Sequence, residues 1–128
     1  MYLDTAATSP VRREVIEAMW PYLTTEFGNP SSVHAVGEAA AAALEDARRR
    51  IARRFEVRAT GVVFTAGGTE AANLAIKGLA LANPRGRHLV VSAVEHEAVL
   101  RSADYLARLH GFDVSVAPVD EFGRVDPD

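Results

Sequence analysis

The 128-residue sequence contains no cysteine. That excludes a disulfide framework, a thiolate metal site and a thiol nucleophile within these residues, and no metal is expected. Lysine is almost as scarce: thirteen of the fourteen basic residues are arginine, and Lys77 is the single lysine. No apolar run reaches the length of a membrane span, and Met1 is followed by Tyr2, Leu3 and Asp4, not by a basic segment and an apolar stretch. A cytoplasmic chain with no membrane partner is the expectation. A formal net charge of -3 supplies no global field for nucleic acid, so none is expected as a partner. The arginines at 48, 49, 50, 53, 54 and 58 gather on one helical pattern and read as its solvated face. What is present, 48% hydrophobic and 24% charged residues, is enough for one ordinary globular domain with a core.

Along the chain, helical patterns alternate with short apolar runs. Tyr2 and Leu3 make a short extended start, and the TAATSP turn sets Pro10 as first residue of a helix from Val11 to about Leu23, whose end Pro21 bends or tightens. EFGNPSS, residues 26–32, is loop by composition. From Ala35 to Phe55, the residues Ala40, Leu44, Ala47, Ile51 and Phe55 fall on one helical stripe, expected to be core. Val62 to Phe64 reads as a buried strand and Glu70 to Leu81 as a helix ended by Asn83 and Pro84. His88 to Ala93 reads as a strand, Glu97 to His110 as a helix capped by Gly111, and Phe112 to Val116 as a further strand. This order predicts an α/β sandwich with a mostly parallel sheet whose strands are buried on both faces. The closing FGRVDPD places Asp126 and Pro127 as a helix start with nothing after it, which suggests truncation.

The stretch VVFTAGGTEAAN, residues 62–73, sets two glycines and two threonines between a β-branched run and a helix. At the carboxyl end of a strand in an open α/β sheet, such a helix start points unsatisfied N–H groups and partial positive charge into the crevice. An anion suits it, with close approach at the glycines and a hydroxyl at Thr69. Position 72, where a capping box counted from Thr69 needs Glu or Gln, is Ala72. Glu70 opposes an anion unless its side chain turns away. A plain glycine turn joining strand to helix fits the same residues. The stretch is neither GxxxxGK[ST] nor GxGxxG, so a nucleotide loop is poorly supported. His96 is expected at the same sheet edge as Thr69, able to stack on a flat ring or exchange protons, or simply to cap its helix.

Taken together, LDTAATSP, FGNPSSVH, VVFTAGGTEAANLAIKG and SAVEHEAVL, in this order, resemble the N-terminal portion of the cysteine desulfurases, within the class V aminotransferase group of pyridoxal 5'-phosphate enzymes. The resemblance implies an incomplete three-layer sandwich of the PLP-dependent transferase large-domain type. Residues 1–30 would form an N-terminal segment and helix, and residues 31–128 the first part of the cofactor-binding large domain. It implies cofactor binding by Gly68 and Thr69 at the phosphate and by His96, which stacks on the pyridine ring and aids proton transfer as the one catalytic candidate. Ala6, Ala7 and Asn29 are implied on the substrate side, and His34 is expected in a structural hydrogen bond. For the intact enzyme it implies conversion of L-cysteine to L-alanine with sulfur passed as a persulfide to an acceptor or scaffold protein for iron-sulfur cluster or thiocofactor assembly, by a homodimer.

The chemistry needs a lysine for the cofactor aldehyde and an acid at the pyridine nitrogen. Lys77 lies eight residues after Thr69 on the same expected helix, roughly 12 Å along it at about 1.5 Å per residue, and is a poor candidate. The resemblance implies that the lysine, the acid and the persulfide-forming cysteine come from later in a longer chain, so these residues alone are expected to be inactive. Another class V aminotransferase, a selenocysteine lyase, or a non-catalytic dimerisation or binding module are the alternatives.

Overall fold

The computed structural model describes residues 1–82 and 85–125. Asn83 and Pro84, expected to end a helix, and Asp126 and Pro127, expected to start one, lie outside the described residues. The chain divides into two compact units, Met1–Val63 and Phe64–Asp128.

In the first unit, α1 spans Arg13–Thr24 and α2 spans Ala35–Arg54, followed by a 3₁₀ turn at Ala59–Gly61. Pro10 does not open α1. The cap is Arg12, whose carbonyl accepts from Val15 and Ile16, so the helix begins at Arg13, three residues after Pro10. Tyr2 and Leu3 form no regular element. Instead the Tyr2 hydroxyl donates to the carbonyl of Asp4 at 2.7 Å. Pro21 lies within α1, and its carbonyl accepts from both Thr25 and Glu26 as the helix ends. At the start of α2, His34 caps through Nδ1, which accepts the Gly37 N–H at 3.3 Å, the structural bond expected of it. The far end closes with Glu56 at φ 55° and two bonds, Val57 N–H to Ala52 O and Glu56 N–H to Arg53 O, a pattern in which glycine is the usual occupant of the left-handed position.

The expected core stripe of α2 is not core here. Leu44 and Ile51 are exposed and Phe55 is 73% exposed, while the helix buries only Gly37 and Ala52. An amphipathic pattern specifies which face needs cover, but burial requires an element to supply it. The arginine-rich segment is a solvated face laced with short-range ion pairs: Arg48 with Glu45, and Arg49 and Arg50 with Asp46. Arg48 also donates to the carbonyl of Val62.

In the second unit, α3 is Gly68–Ala82, β1 His88–Ser92, α4 Glu97–His110 and β2 Asp113–Ala117. β1 and β2 pair in parallel, with His88 opposite Asp113 and Ser92 opposite Ala117. The α4 helix is the crossover between them. It packs on both strands, α3 packs on α4, and the core consists of Ala98, Ser102, Ala103, Leu106 and Phe112. Gly111, at φ 65°, closes α4 as expected and turns the chain into β2.

Two strand expectations are corrected. Val62 to Phe64 makes no strand: Val62 is extended, at φ -96° and ψ 122°, but no ladder forms at these residues. β-branched residues favour extended backbone, but a strand exists only where a neighbour pairs with it. Nor are the paired strands buried on both faces, since Val90 is 65% exposed. The expected α/β architecture with a parallel sheet is thus present as a partial fold, and among the described residues helices cover one side of the sheet.

Candidate functional site at the start of helices α3 and α4

The chain enters α3 through a turn held by its own side chains. The Gly67 carbonyl accepts from Ala71 N–H at 3.0 Å, the first bond of the helix, so Gly67 is the cap, Gly68 and Thr69 are the first two helical residues, and Glu70 is the third. Counting from Gly67 instead of Thr69 changes the reading of the cap. Glu70 occupies the third helical position, from which a side chain reaches back past the helix start, and its Oε2 accepts the Ala66 N–H at 2.7 Å. No reciprocal capping box forms, as the Ala72 reading expects: Gly67 has no side chain to return a bond, and Glu70 reaches past it to Ala66. On the other side of the turn, Thr65 Oγ1 donates to the Gly67 carbonyl at 3.1 Å, and Asn73 Nδ2 donates to the Thr69 carbonyl at 2.8 Å.

These bonds leave the amides of Gly68 and Thr69 directed out of the first turn, where an α-helix has no internal acceptor for them. Gly67 suits its place as the helix cap, where glycine is among the favoured residues, but Gly68 has no such internal explanation. Neither Gly67 nor Gly68 has a positive φ, and a Cβ added at either would meet no atom within 4 Å. Backbone strain and packing thus both permit a side chain at these positions. At Gly68, close approach by a ligand is a physical reason for a bare backbone, and an anion is what the exposed amides favour.

His96 caps α4 as His34 caps α2: Nδ1 accepts the Ala98 N–H at 3.0 Å. With Nδ1 engaged as an acceptor, the ring's other nitrogen, Nε2, is the one available outward. Glu97, next along, is turned to Arg101, with Oε1 accepting from both Nε and Nη2 at 3.1 and 3.0 Å. That hydrogen bond and the charge of Glu97 hold the Arg101 guanidinium above its ordinary range.

The two helix starts lie on the same rim of the sheet. Ile76, Leu79 and Ala80, in the second half of α3, share a pocket with His88, Leu89 and Phe112 at the beginnings of the strands. The α4 helix runs from the end of β1 back to the beginning of β2, so both helices run opposite to the strands and both open at the strands' carboxyl ends. Gly68, Thr69 and His96 are thereby brought to one edge. Lys77 is carried away from it: its Nζ lies over the Tyr105 ring, 4.4 Å from the centre, midway along both helices.

Ala6, Ala7 and Asn29 belong to the Met1–Val63 unit. Ala6 and Ala7 sit in an exposed turn closed by Ala7 N–H to Asp4 O at 3.1 Å. Asn29 Oδ1 accepts the Ser31 N–H at 2.9 Å, which shapes the loop before α2. Among the described residues, no group of three His, Cys, Asp or Glu side chains is placed to hold a metal ion. No helix there is long and apolar enough to cross a membrane. The site contacts that sequence reasoning passes over are those of Glu70 with Ala66 and of Asn73 with Thr69. Their signal is the spacing of Glu70 three residues after Gly67.

All of residues 1–128 match the aminotransferase class-V family. The chain belongs to that family. Class-V aminotransferases depend on pyridoxal 5'-phosphate. Over the whole chain the protein is 49% identical to the cysteine desulfurase IscS of Dictyoglomus turgidum and 46% identical to that of Methanosarcina thermophila, in each case over 32% of the relative's length. A solved structure of a NifS-like protein superposes with a TM-score of 0.88 at 35% identity, covering 98% of this chain and 35% of that one. This class-V chain thus spans about a third of the length of the curated relatives it matches.

Proposed function

We propose that this chain is part of a pyridoxal 5'-phosphate-dependent cysteine desulfurase. The enzyme would convert L-cysteine to L-alanine in the cytoplasm and pass the sulfur, as a persulfide, to an acceptor or scaffold protein, acting as a homodimer. The observation that carries the proposal is the pair of unaccepted amides at Gly68 and Thr69, beside two glycines that neither backbone conformation nor packing requires. The identity to two cysteine desulfurases supports the choice of reaction within the family.

In this reading, the Gly68 and Thr69 amides and the Thr69 hydroxyl bind the cofactor phosphate, helped by the partial positive charge of the α3 start. When bound, the cofactor supplies an aldehyde for the substrate amine and a ring that takes up charge as the substrate's α-proton leaves. His96, anchored through Nδ1, presents its ring face to stack and its Nε2 to hold or move a proton. Lys77, engaged on Tyr105, takes no part.

Two experiments test the proposal. Titrating the 15N-labelled chain with pyridoxal 5'-phosphate should shift the amide signals of Gly68, Thr69 and Glu70, whereas unphosphorylated pyridoxal should not. The Gly68→Ala variant should retain the wild-type melting midpoint or gain by about 0.4–1 kcal/mol, yet lose the phosphate-dependent shifts. Shifts confined to other residues would contradict the site. For the reaction, the matching segment of the Dictyoglomus turgidum desulfurase is replaced by residues 1–128. With a thiol reductant present to free the persulfide sulfur, the chimera should release sulfide from L-cysteine, and a His96→Ala chimera should lose about 10²-fold or more in rate. A folded, cofactor-loaded chimera without desulfurase activity would overturn the reaction while leaving the site intact.

A further inference from the structure

A carboxylate at the mouth of an anion site needs a reason. Glu70 stands beside the amides of Gly68 and Thr69, where its charge opposes a phosphate, yet its Oε2 is spent on the Ala66 N–H at 2.7 Å. That bond spans the turn 65–67 from the helix side. The Thr65 hydroxyl closes the same turn onto the Gly67 carbonyl, and Asn73 holds the Thr69 carbonyl from one helical turn further on. Three side chains from TxGGTExxN-type spacing therefore fasten the backbone on every side of the two open amides without occupying them.

Resting on the cofactor reading above, we infer that Glu70 is a positioning residue for the phosphate: by accepting the Ala66 N–H it presets the turn that presents the Gly68 and Thr69 amides. Bare glycines at 67 and 68 give this backbone no internal packing to define it, since nothing approaches within 4 Å of their missing Cβ atoms. An unfastened Gly-Gly segment would have to be ordered at the moment of binding, and that ordering subtracts from affinity. Turned back along the turn, the Glu70 carboxylate removes this cost while satisfying an amide that would otherwise compete for the anion. What matters is therefore the reach of the side chain to Ala66, and its charge works against the ligand.

Reach and charge can be separated by substitution. Glu70→Asp keeps the charge and the acidic preference of a helix start but is one methylene short of the span. Glu70→Gln keeps the span and an acceptor oxygen but removes the charge. The measurement is the Kd for pyridoxal 5'-phosphate and, separately, for pyridoxal, with amide exchange at Ala66 monitored in the same samples. Glu70→Asp should weaken phosphate-ester binding by about tenfold, the scale of one charge-assisted hydrogen bond, leave pyridoxal binding unchanged and expose Ala66 to exchange. Glu70→Gln should bind as tightly as the unsubstituted chain or more tightly, with Ala66 still protected. Equal phosphate-ester binding by the Asp variant would overturn the inference, as would Asp and Gln variants weakened alike, or parallel losses for both ligands. A chain with intact Glu70 that showed no preference for the phosphorylated ligand would overturn the cofactor reading beneath it as well.

Discussion

The Met1–Val63 unit and the Phe64–Asp128 unit are both rich in amphipathic helix, yet they use it differently. In the first, α1 buries no residue and leaves Trp20 61% exposed, and α2 buries only Gly37 and Ala52. In the second, α4 alone buries Ala98, Ser102, Ala103 and Leu106, and Phe112 adds to the same core. The second unit owes its core to connectivity, because α4 is the crossover between two parallel strands and must lie on the sheet that it connects. The first has no sheet among the described residues, so its helices display apolar faces that local order alone cannot cover. The difference shows that apolar pattern sets a demand for burial and topology decides whether it is met.

The sharpest way to break this comparison is to truncate a leucine in each unit. Leu106→Ala, at a site with no exposure, should cost about 2–5 kcal/mol by the usual scale for buried leucines. Leu44→Ala, on the open face of α2, should stay within about 0.5 kcal/mol, as surface substitutions do. Urea unfolding monitored by helix signal measures both, and comparable losses would mean that α2 is covered in solution.

A smaller effect tests whether the first unit has any close packing. At Gly37 a Cβ would stand 2.7 Å from Ser32 Cβ and collide with backbone carbonyl oxygens of the preceding loop. Gly37→Ala should therefore cost about 1–3 kcal/mol, the range for overpacking, despite the higher helix propensity of alanine. A gain in melting midpoint would show that the loop yields freely.

The smallest pair concerns the helix ends. Both α2 and α4 finish beside a residue in the left-handed region, Glu56 at φ 55° and Gly111 at φ 65°. Gly111→Ala should destabilise by about 1 kcal/mol or slightly more through backbone strain, because its Cβ would make only an ordinary contact, 3.7 Å from Arg87 Nη1. Glu56→Gly should do the opposite, raising stability by up to about 1 kcal/mol. Calorimetry of the two variants reads both signs, and changes of the same sign would refute the shared explanation.

Much of the second unit is legible in its residues. The α4 limits, its Gly111 cap and the parallel pairing of the two strands all match local expectation. Periodicity and capping report directly on a helix that closes its own hydrogen bonds, and a short connection limits where the next strand can lie. Val62 to Phe64 misleads because extended preference does not reveal whether a partner strand lies alongside. Pro10 misleads because a proline's fixed φ suits a loop as well as a first helical residue. At the candidate site, residue type and order are enough to single out Gly68, Thr69 and His96. The Glu70 contact with Ala66 escapes a count that begins at Thr69, two residues past the cap at Gly67.

The sequence by itself determined the helices, the glycine-bearing turn and the family to which the chain belongs, since these depend on neighbours a few positions apart or on residue order. Only the tertiary structure decided which apolar faces are buried, that α3 and α4 open on one rim, and that the Glu70 carboxylate turns away from the amides beside it. Those outcomes depend on where non-neighbouring backbone lies, and side-chain rotation or strand pairing is settled by three-dimensional proximity that residue spacing does not encode.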